Sequence, residues 1–254
     1  MKQSRPIKRS PSSSRRVDGR QFAELRPVNF ETKFVRYPEG SVLVSMGYTR
    51  VLCNVTIQDG VPNWMRDQQK PGGWVTAEYS MLPRSTHTRT SRETRGPSGR
   101  TQEIQRLIGR SLRSAVHLEQ LGARTITVDC DVLQADGGTR TASITGGYVA
   151  LRIALDKLIR EKQVHRSVLG PQVAAVSAGL VKGKGCLDLC YLEDSKAETD
   201  MNVVMNSNGE FIEIQGTAEG KPFSEALFNH MLKLARGGIK ELLRQQLKAI
   251  EAAE

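Results

Sequence analysis

The sequence predicts a single α+β domain, with a mixed β-sheet and helices packed on it. Three observations predict it. Short β-rich runs meet at turn residues, as hairpins do, and hairpins pair antiparallel. Strand–helix–strand passages occur in the middle of the chain and bring in parallel pairing. Later stretches repeat apolar residues at three and four, the spacing of a helix lying on a core. The 254 residues, 38% of them hydrophobic, suffice for one large domain or two small ones.

The elements follow in order. Residues 41–58, SVLVSMGYTRVLCNVTIQ, hold two β-rich runs broken at Met46-Gly47-Tyr48-Thr49, a hairpin. Residues 61–73 are rich in Pro, Gly and Gln, and residues 84–100 are polar and basic, so both read as loops. From Thr101, the spacing of Ile104, Leu107, Ile108, Leu112, Ala115 and Val116 predicts a helix of about 17 residues ending near Gly122. Thr125–Leu133 alternates as a strand. Next comes Gln134–Gly147, QADGGTRTASITGG, with four glycines, one acid, one arginine and otherwise small residues. It offers nothing with which to build a core. Tyr148–Leu158 is helical, with Ala150, Leu151, Ala154, Leu155 and Leu158 on one stripe. Val173–Val181 and Cys186–Leu192 read as strands joined by KGKG. Met201–Met205 and Phe211–Thr217 pair around Asn206-Ser-Asn-Gly209, and Ser224–Gln246 is one long amphipathic helix.

Composition narrows the class. No apolar run approaches the roughly 20 residues that span a bilayer, and no secretory signal follows the N-terminal basic residues. Cys53, Cys130, Cys186 and Cys190 lie mostly within apolar runs and read as buried thiols of a reducing cytoplasm. Lys and Arg number 37 against 27 Asp and Glu, a net charge of +10 that favours an anionic partner such as nucleic acid. Residues 1–20 carry seven of the cations and one acid around SPSSSRR, and read as a disordered basic tail. Residues 1–15 are assigned to that tail and 16–248 to the domain. A second cluster, Arg84, Arg89, Arg92, Arg95, Arg100, Arg106, Arg110 and Arg113, contains no lysine. Arginine's planar fork suits phosphate oxygens.

Two segments carry chemistry. Asp136-Gly-Gly-Thr-Arg140 follows a strand and precedes a helix. Glycines admit a close anion, unpaired amides at a helix start attract it, and Thr139 and Arg140 add donors. The alternative is a tight turn without a ligand. The spacing is not that of a Walker A loop, and its lysine is missing. The other segment is Glu193-Asp194-Ser-Lys-Ala-Glu-Thr-Asp200, expected as a loop whose carboxylates Asp194 and Asp200 hold Mg²⁺ or transfer a proton, against a plain solvated acidic loop. Together the two suit attack by phosphate on an RNA phosphodiester. Spacing does not separate this from hydrolysis by water.

The chain resembles bacterial ribonuclease PH, the family of phosphate-dependent 3′→5′ exoribonucleases that trim tRNA precursors. The resemblance rests on Asp18-Gly-Arg20, Thr76-Ala-Glu-Tyr79, Met81-Leu-Pro-Arg84, Gly99-Arg-Thr101, Cys130 through Gly146, Glu193-Asp194, Asp200-Met-Asn-Val-Val204 and Glu213-Ile-Gln-Gly-Thr217. It implies an α+β fold and a homohexamer built as a trimer of dimers. It implies that Arg100, Gly138, Thr139 and Arg140 bind phosphate, that Asp194 and Asp200 are the catalytic and Mg²⁺-binding pair, and that Arg84, Arg89 and Arg92 guide the RNA 3′ end. Nucleotide addition is the same reaction reversed. The alternative is a non-catalytic RNA-binding ring subunit of an exosome-like assembly. Departures from the family pattern are residues 1–15, a slightly long segment at 67–71, and Gln102.

Overall fold

A computed structural model describes residues 16–253, and the expected basic tail at 1–15 lies outside them. In chain order the elements are β1 (Val28–Thr32), β2 (Gly40–Met46), β3 (Thr49–Asp59), α1 (Asn63–Asp67), β4 (Trp74–Met81), α2 (Gly99–Arg113), β5 (Arg124–Gln134), α3 (Thr139–Arg160), β6 (Val173–Val181), β7 (Lys184–Leu187), α4 (Tyr191–Asp194), β8 (Thr199–Asn206), β9 (Phe211–Ala218) and α5 (Glu225–Glu251).

The α+β class holds, but the strands form two sheets rather than one. The first runs β1-β2-β3-β5-β4 and the second β7-β6-β8-β9. Only the first is mixed: β4 pairs parallel to β5, through the crossover helix α2, while its other pairs are antiparallel. The second is antiparallel throughout. After α3 the chain enters the second sheet instead of returning to the first. Helix α3 therefore lies between the sheets, packed on β2 and β3 on one side and on β6 on the other. One hydrophobic core spans both sheets.

That placement overturns the reading of the glycine stretch. Helix α3 starts at Thr139, nine residues before the expected Tyr148, and Thr141–Ala150 are buried without interruption. A helix covered on all sides shows no apolar stripe. Small residues are what such a position demands. A Cβ at Gly146 would lie 2.4 Å from Val44 Cγ1, so glycine sets how closely α3 approaches β2. Thr145 Oγ1 bonds across to β6, 3.1 Å from the Ala175 carbonyl.

Other boundaries moved for local reasons. Helix α2 starts at Gly99, where the Ser98 side chain accepts from Thr101 N at 3.3 Å, and ends at Arg113, short of Gly122. The expected loop at 61–73 contains the one-turn α1. The expected strand Cys186–Leu192 divides into β7 and α4. Arg16 and Arg20 were read into the basic tail, yet both are buried and paired with acids. All four cysteines are free and buried. Among the described residues, no helix is long and apolar enough to cross a membrane.

Candidate active site

The turn from β5 into α3 builds an anion cradle. Gly137 and Gly138 have φ of 75° and 65°, and a Cβ on Gly137 would lie 2.5 Å from the Leu189 carbonyl oxygen. Both glycines are thus required by the turn. Beyond them, the first-turn amides of the 22-residue α3 have no acceptor within the helix, and its dipole adds partial positive charge there. Thr139 Oγ1 lies 2.9 Å from the Tyr79 hydroxyl. The Arg140 guanidinium donates to Gln215 Oε1 of β9 at 3.0 Å and reaches Glu103 of α2 at 3.4 Å. Arg140 is therefore aimed by both neighbours.

A buried charge pair holds this turn from beneath. Arg26 Nε and Nη2 donate to Asp188 Oδ2 and Oδ1 at 3.0 and 2.7 Å. Arg26 Nη1 donates to the Asp136 carbonyl at 2.5 Å, and the Thr49 hydroxyl donates to the Gly137 carbonyl at 2.7 Å. Asp136 in turn accepts from Tyr191 N at 3.1 Å, tying the cradle to α4. Burial pushes the Asp188 carboxyl toward neutrality, but Arg26 outweighs it and holds the group below the usual aspartate range. Nearby, Arg16 donates to both carboxylate oxygens of Glu193, and Arg20 lies 3.6 Å from Asp188. The Asp18-Gly-Arg20 motif thus serves to fix the segment carrying α4.

One cavity of about 480 Å³ collects the chemistry. Its lining includes Arg100, Gly138, Thr139, Arg140, Asp194 and Asp200. Those six residues, proposed from distant parts of the sequence, come together. The acidic segment is not a simple loop: Asp194 ends α4 and Asp200 is the second residue of β8. Asp194 keeps solvent access at the rim, yet its pKa is raised, first by desolvation and then by the charge of Asp200. Arg140 and Arg100 oppose that rise in part.

The loop between β4 and α2 forms another wall, through Thr86, His87, Thr88 and Thr90. Arg84, Arg89 and Arg92 belong to this loop but are exposed and do not line the cavity. Sequence reasoning missed three features: Arg26, Asp188 and the ring pair His87–Tyr191. Those rings lie at the cavity with centroids 5.5 Å apart, and Tyr191 is 45% exposed. No local signal marks them, because their partners come from remote segments. Among the described residues no group of three or more His, Cys, Asp or Glu forms a metal cluster. Two carboxylates still match Mg²⁺, which takes one or two of them and completes its shell with water and substrate phosphate.

A donor-rich, glycine-lined helix start facing a carboxylate pair suits transfer at phosphorus. The model of the 3′ exoribonuclease family matches twice, domain 1 over residues 24–155 and domain 2 over 172–238. The chain belongs to the 3′ exoribonuclease family. Within it, the chain is 56% identical over 241 residues to Ribonuclease PH of Crocosphaera subtropica (strain ATCC 51142 / BH68), covering 95% of this chain and 100% of that one. Among solved structures it is similar to rice (Oryza sativa) Rrp46, at 17% identity and a TM-score of 0.75, over 93% of this chain and 100% of that one. It is also similar to the Archaeoglobus fulgidus exosome with RNA bound to the active site, at 24% identity and a TM-score of 0.74, over 91% and 92% of the two chains. These two likenesses bear on the fold.

Proposed function

We propose that the chain removes nucleotides from the 3′ ends of tRNA precursors by phosphorolysis, releasing nucleoside diphosphates, with nucleotide addition as the reverse reaction. The observation that carries this is the shared cavity of Arg100, Gly138, Thr139, Arg140, Asp194 and Asp200. A hydrolase has no use for the phosphate cradle, and a non-catalytic ring subunit has no use for the carboxylates beside it.

Inorganic phosphate sits at the α3 N-terminus, held by first-turn amides, Thr139, Arg140 and Arg100. The terminal phosphodiester of the RNA enters from the side of the β4–α2 loop, and the open face of Tyr191 receives the terminal base. A phosphate oxygen attacks the phosphodiester phosphorus. A new P–O bond forms, the bond to the 3′ oxygen of the preceding nucleotide breaks, and that oxygen takes up a proton. Asp194, whose pKa stands above the ordinary carboxyl value, is placed to supply it. The arginines and amides hold both phosphates in line and offset their charge. Asp200 would hold Mg²⁺, which Asp194 shares only in its ionised form and not while it carries the proton; when bound, the ion supplies charge neutralisation at phosphorus. Arg84, Arg89 and Arg92, exposed on the loop, guide the RNA backbone toward the cavity.

Residues 16–248 act as one catalytic unit, since both sheets share one core and contribute to one cavity. The family resemblance implies a homohexamer, a trimer of dimers, and the exposed apolar residues Val17, Tyr48 and Leu192 along one groove offer a surface for contact between copies. Four buried free thiols fit a cytoplasmic setting. Phosphate dependence tests the reading. Removing one charge-assisted donor in Arg140→Ala should raise KM for phosphate about 10- to 100-fold while RNA affinity changes little. An unchanged phosphate KM would remove Arg140 from the cradle.

A further inference from the structure

Both tryptophans of the chain sit together, apart from the phosphate cradle. Trp64 lies in α1 and Trp74 opens β4, and their rings meet edge to face with centroids 4.9 Å apart. Lys70 Nζ lies 5.2 Å from the Trp64 ring centre, and the Arg113 guanidinium lies 4.4 Å from that of Trp74. Trp64 nevertheless keeps 39% of its surface open. The ring contacts account for one side of it and leave indole surface free. An open ring among cations is the chemistry that binds single-stranded nucleic acid, since every base has a π face.

The platform is held in place. Met65, beside Trp64, is buried. Lys70 N donates to the Met65 carbonyl at 2.9 Å, and Gly73 N donates to the Leu118 carbonyl at 2.9 Å. A base stacking there meets a surface already ordered, which lowers the entropic cost of binding.

Helix α2 joins the platform to the cavity. Arg100, at its start, lines the cavity, and Arg113, its last residue, stacks on Trp74. Between them Arg106 and Arg110 are exposed. Arg106, Arg110 and Arg113 follow at four and three, so they share one helix face. At 1.5 Å per residue, Arg100 to Arg113 spans about 20 Å. Arg110 has a partner, Glu213 at 3.1 Å, but the arginine is 57% exposed and keeps further guanidinium donors open to a phosphate.

We infer that α2 and Trp64 form a second RNA subsite, which holds the single strand upstream of the 3′ end, its backbone along Arg106 and Arg110 and a base on Trp64. The subsite rests on the RNA reading above and gives the substrate a path away from the cavity. It favours a single-stranded 3′ tail long enough to reach the platform.

Intrinsic fluorescence tests it, because Trp64 and Trp74 are the only tryptophans and report on this platform alone. The full protein is titrated with oligoadenylates, without phosphate or divalent metal so that nothing is degraded. A dodecamer should quench the emission, while a trimer, which fills only the cavity, should bind without quenching. Trp64→Ala should bind the dodecamer about five- to tenfold more weakly and the trimer unchanged. In Trp74→Phe, with Trp64 alone emitting, the quench should persist. A bound dodecamer that leaves emission unchanged overturns the subsite, as does an equal loss of trimer and dodecamer affinity in Trp64→Ala. A change in oligomer mass in that variant would assign Trp64 to a contact between copies and overturn it too. If neither RNA binds, the RNA reading falls with it. A quench without phosphorolysis would refute the reaction and leave the subsite standing.

Discussion

At the scale of single residues, the pair Arg26–Asp188 does most to make the site possible. The two side chains are fully buried, joined by two hydrogen bonds, and 162 positions apart in the sequence. Asp188 has a folded-state pKa below its unfolded value of about 3.9. Its contribution to stability is therefore complete above that unfolded value and is lost as pH falls through the lower folded one. Asp188→Asn strands the Arg26 charge and should cost about 3–5 kcal/mol near neutral pH. Thermal melts of both proteins from pH 7 downward check this: the gap in Tm should hold steady, then narrow below pH about 4. A gap that stays constant into strong acid would contradict the assignment. Sequence patterns announce the proposed phosphate cradle at 136–140, because glycine, threonine and arginine cluster within five positions. They do not announce Arg26 or Asp188, whose role exists only once remote segments meet.

At the scale of elements, α3 shows why the sequence was legible in part. Strands β3 and β5 and the amphipathic α2 and α5 bury one face, so their periodicity is visible. Helix α3 is buried all round in its first turns and has no stripe to detect. Its small residues give no core signal for that reason, and the sequence predicts the helix only from Tyr148. The close approach itself is testable. Gly146→Ala would place a methyl 2.4 Å from Val44 Cγ1 and 3.2 Å from Cys53 Sγ. Overpacking of this kind costs about 1–3 kcal/mol, a fall in Tm of roughly 2–10 °C for a chain this size. Adding Val44→Ala should recover part of the loss by at least about 0.5 kcal/mol of non-additivity. Strict additivity in calorimetry would mean that the contact does not set the spacing.

At the scale of the whole molecule, the α+β class followed from local patterns, whereas the division into two sheets did not. Both strand–helix–strand passages look alike in sequence. One returns to its own sheet and the other crosses to the second, and only packing around α3 decides which. That division is also what makes the site. The first sheet delivers Tyr79 and the cradle turn, the second delivers Asp200, and α2 and α4 add Arg100 and Asp194. A net charge of +10 favours association with a polyanion such as RNA, and the proposed cradle would then decide the chemistry. The most direct measurement is therefore product analysis. The protein is incubated with a 3′-extended tRNA and Mg²⁺, with and without inorganic phosphate, and the released nucleotides are identified. Nucleoside diphosphates that form only when phosphate is present are the predicted result. Nucleoside monophosphates released without phosphate would contradict it, for water would then be the attacking group and the cradle would hold something else.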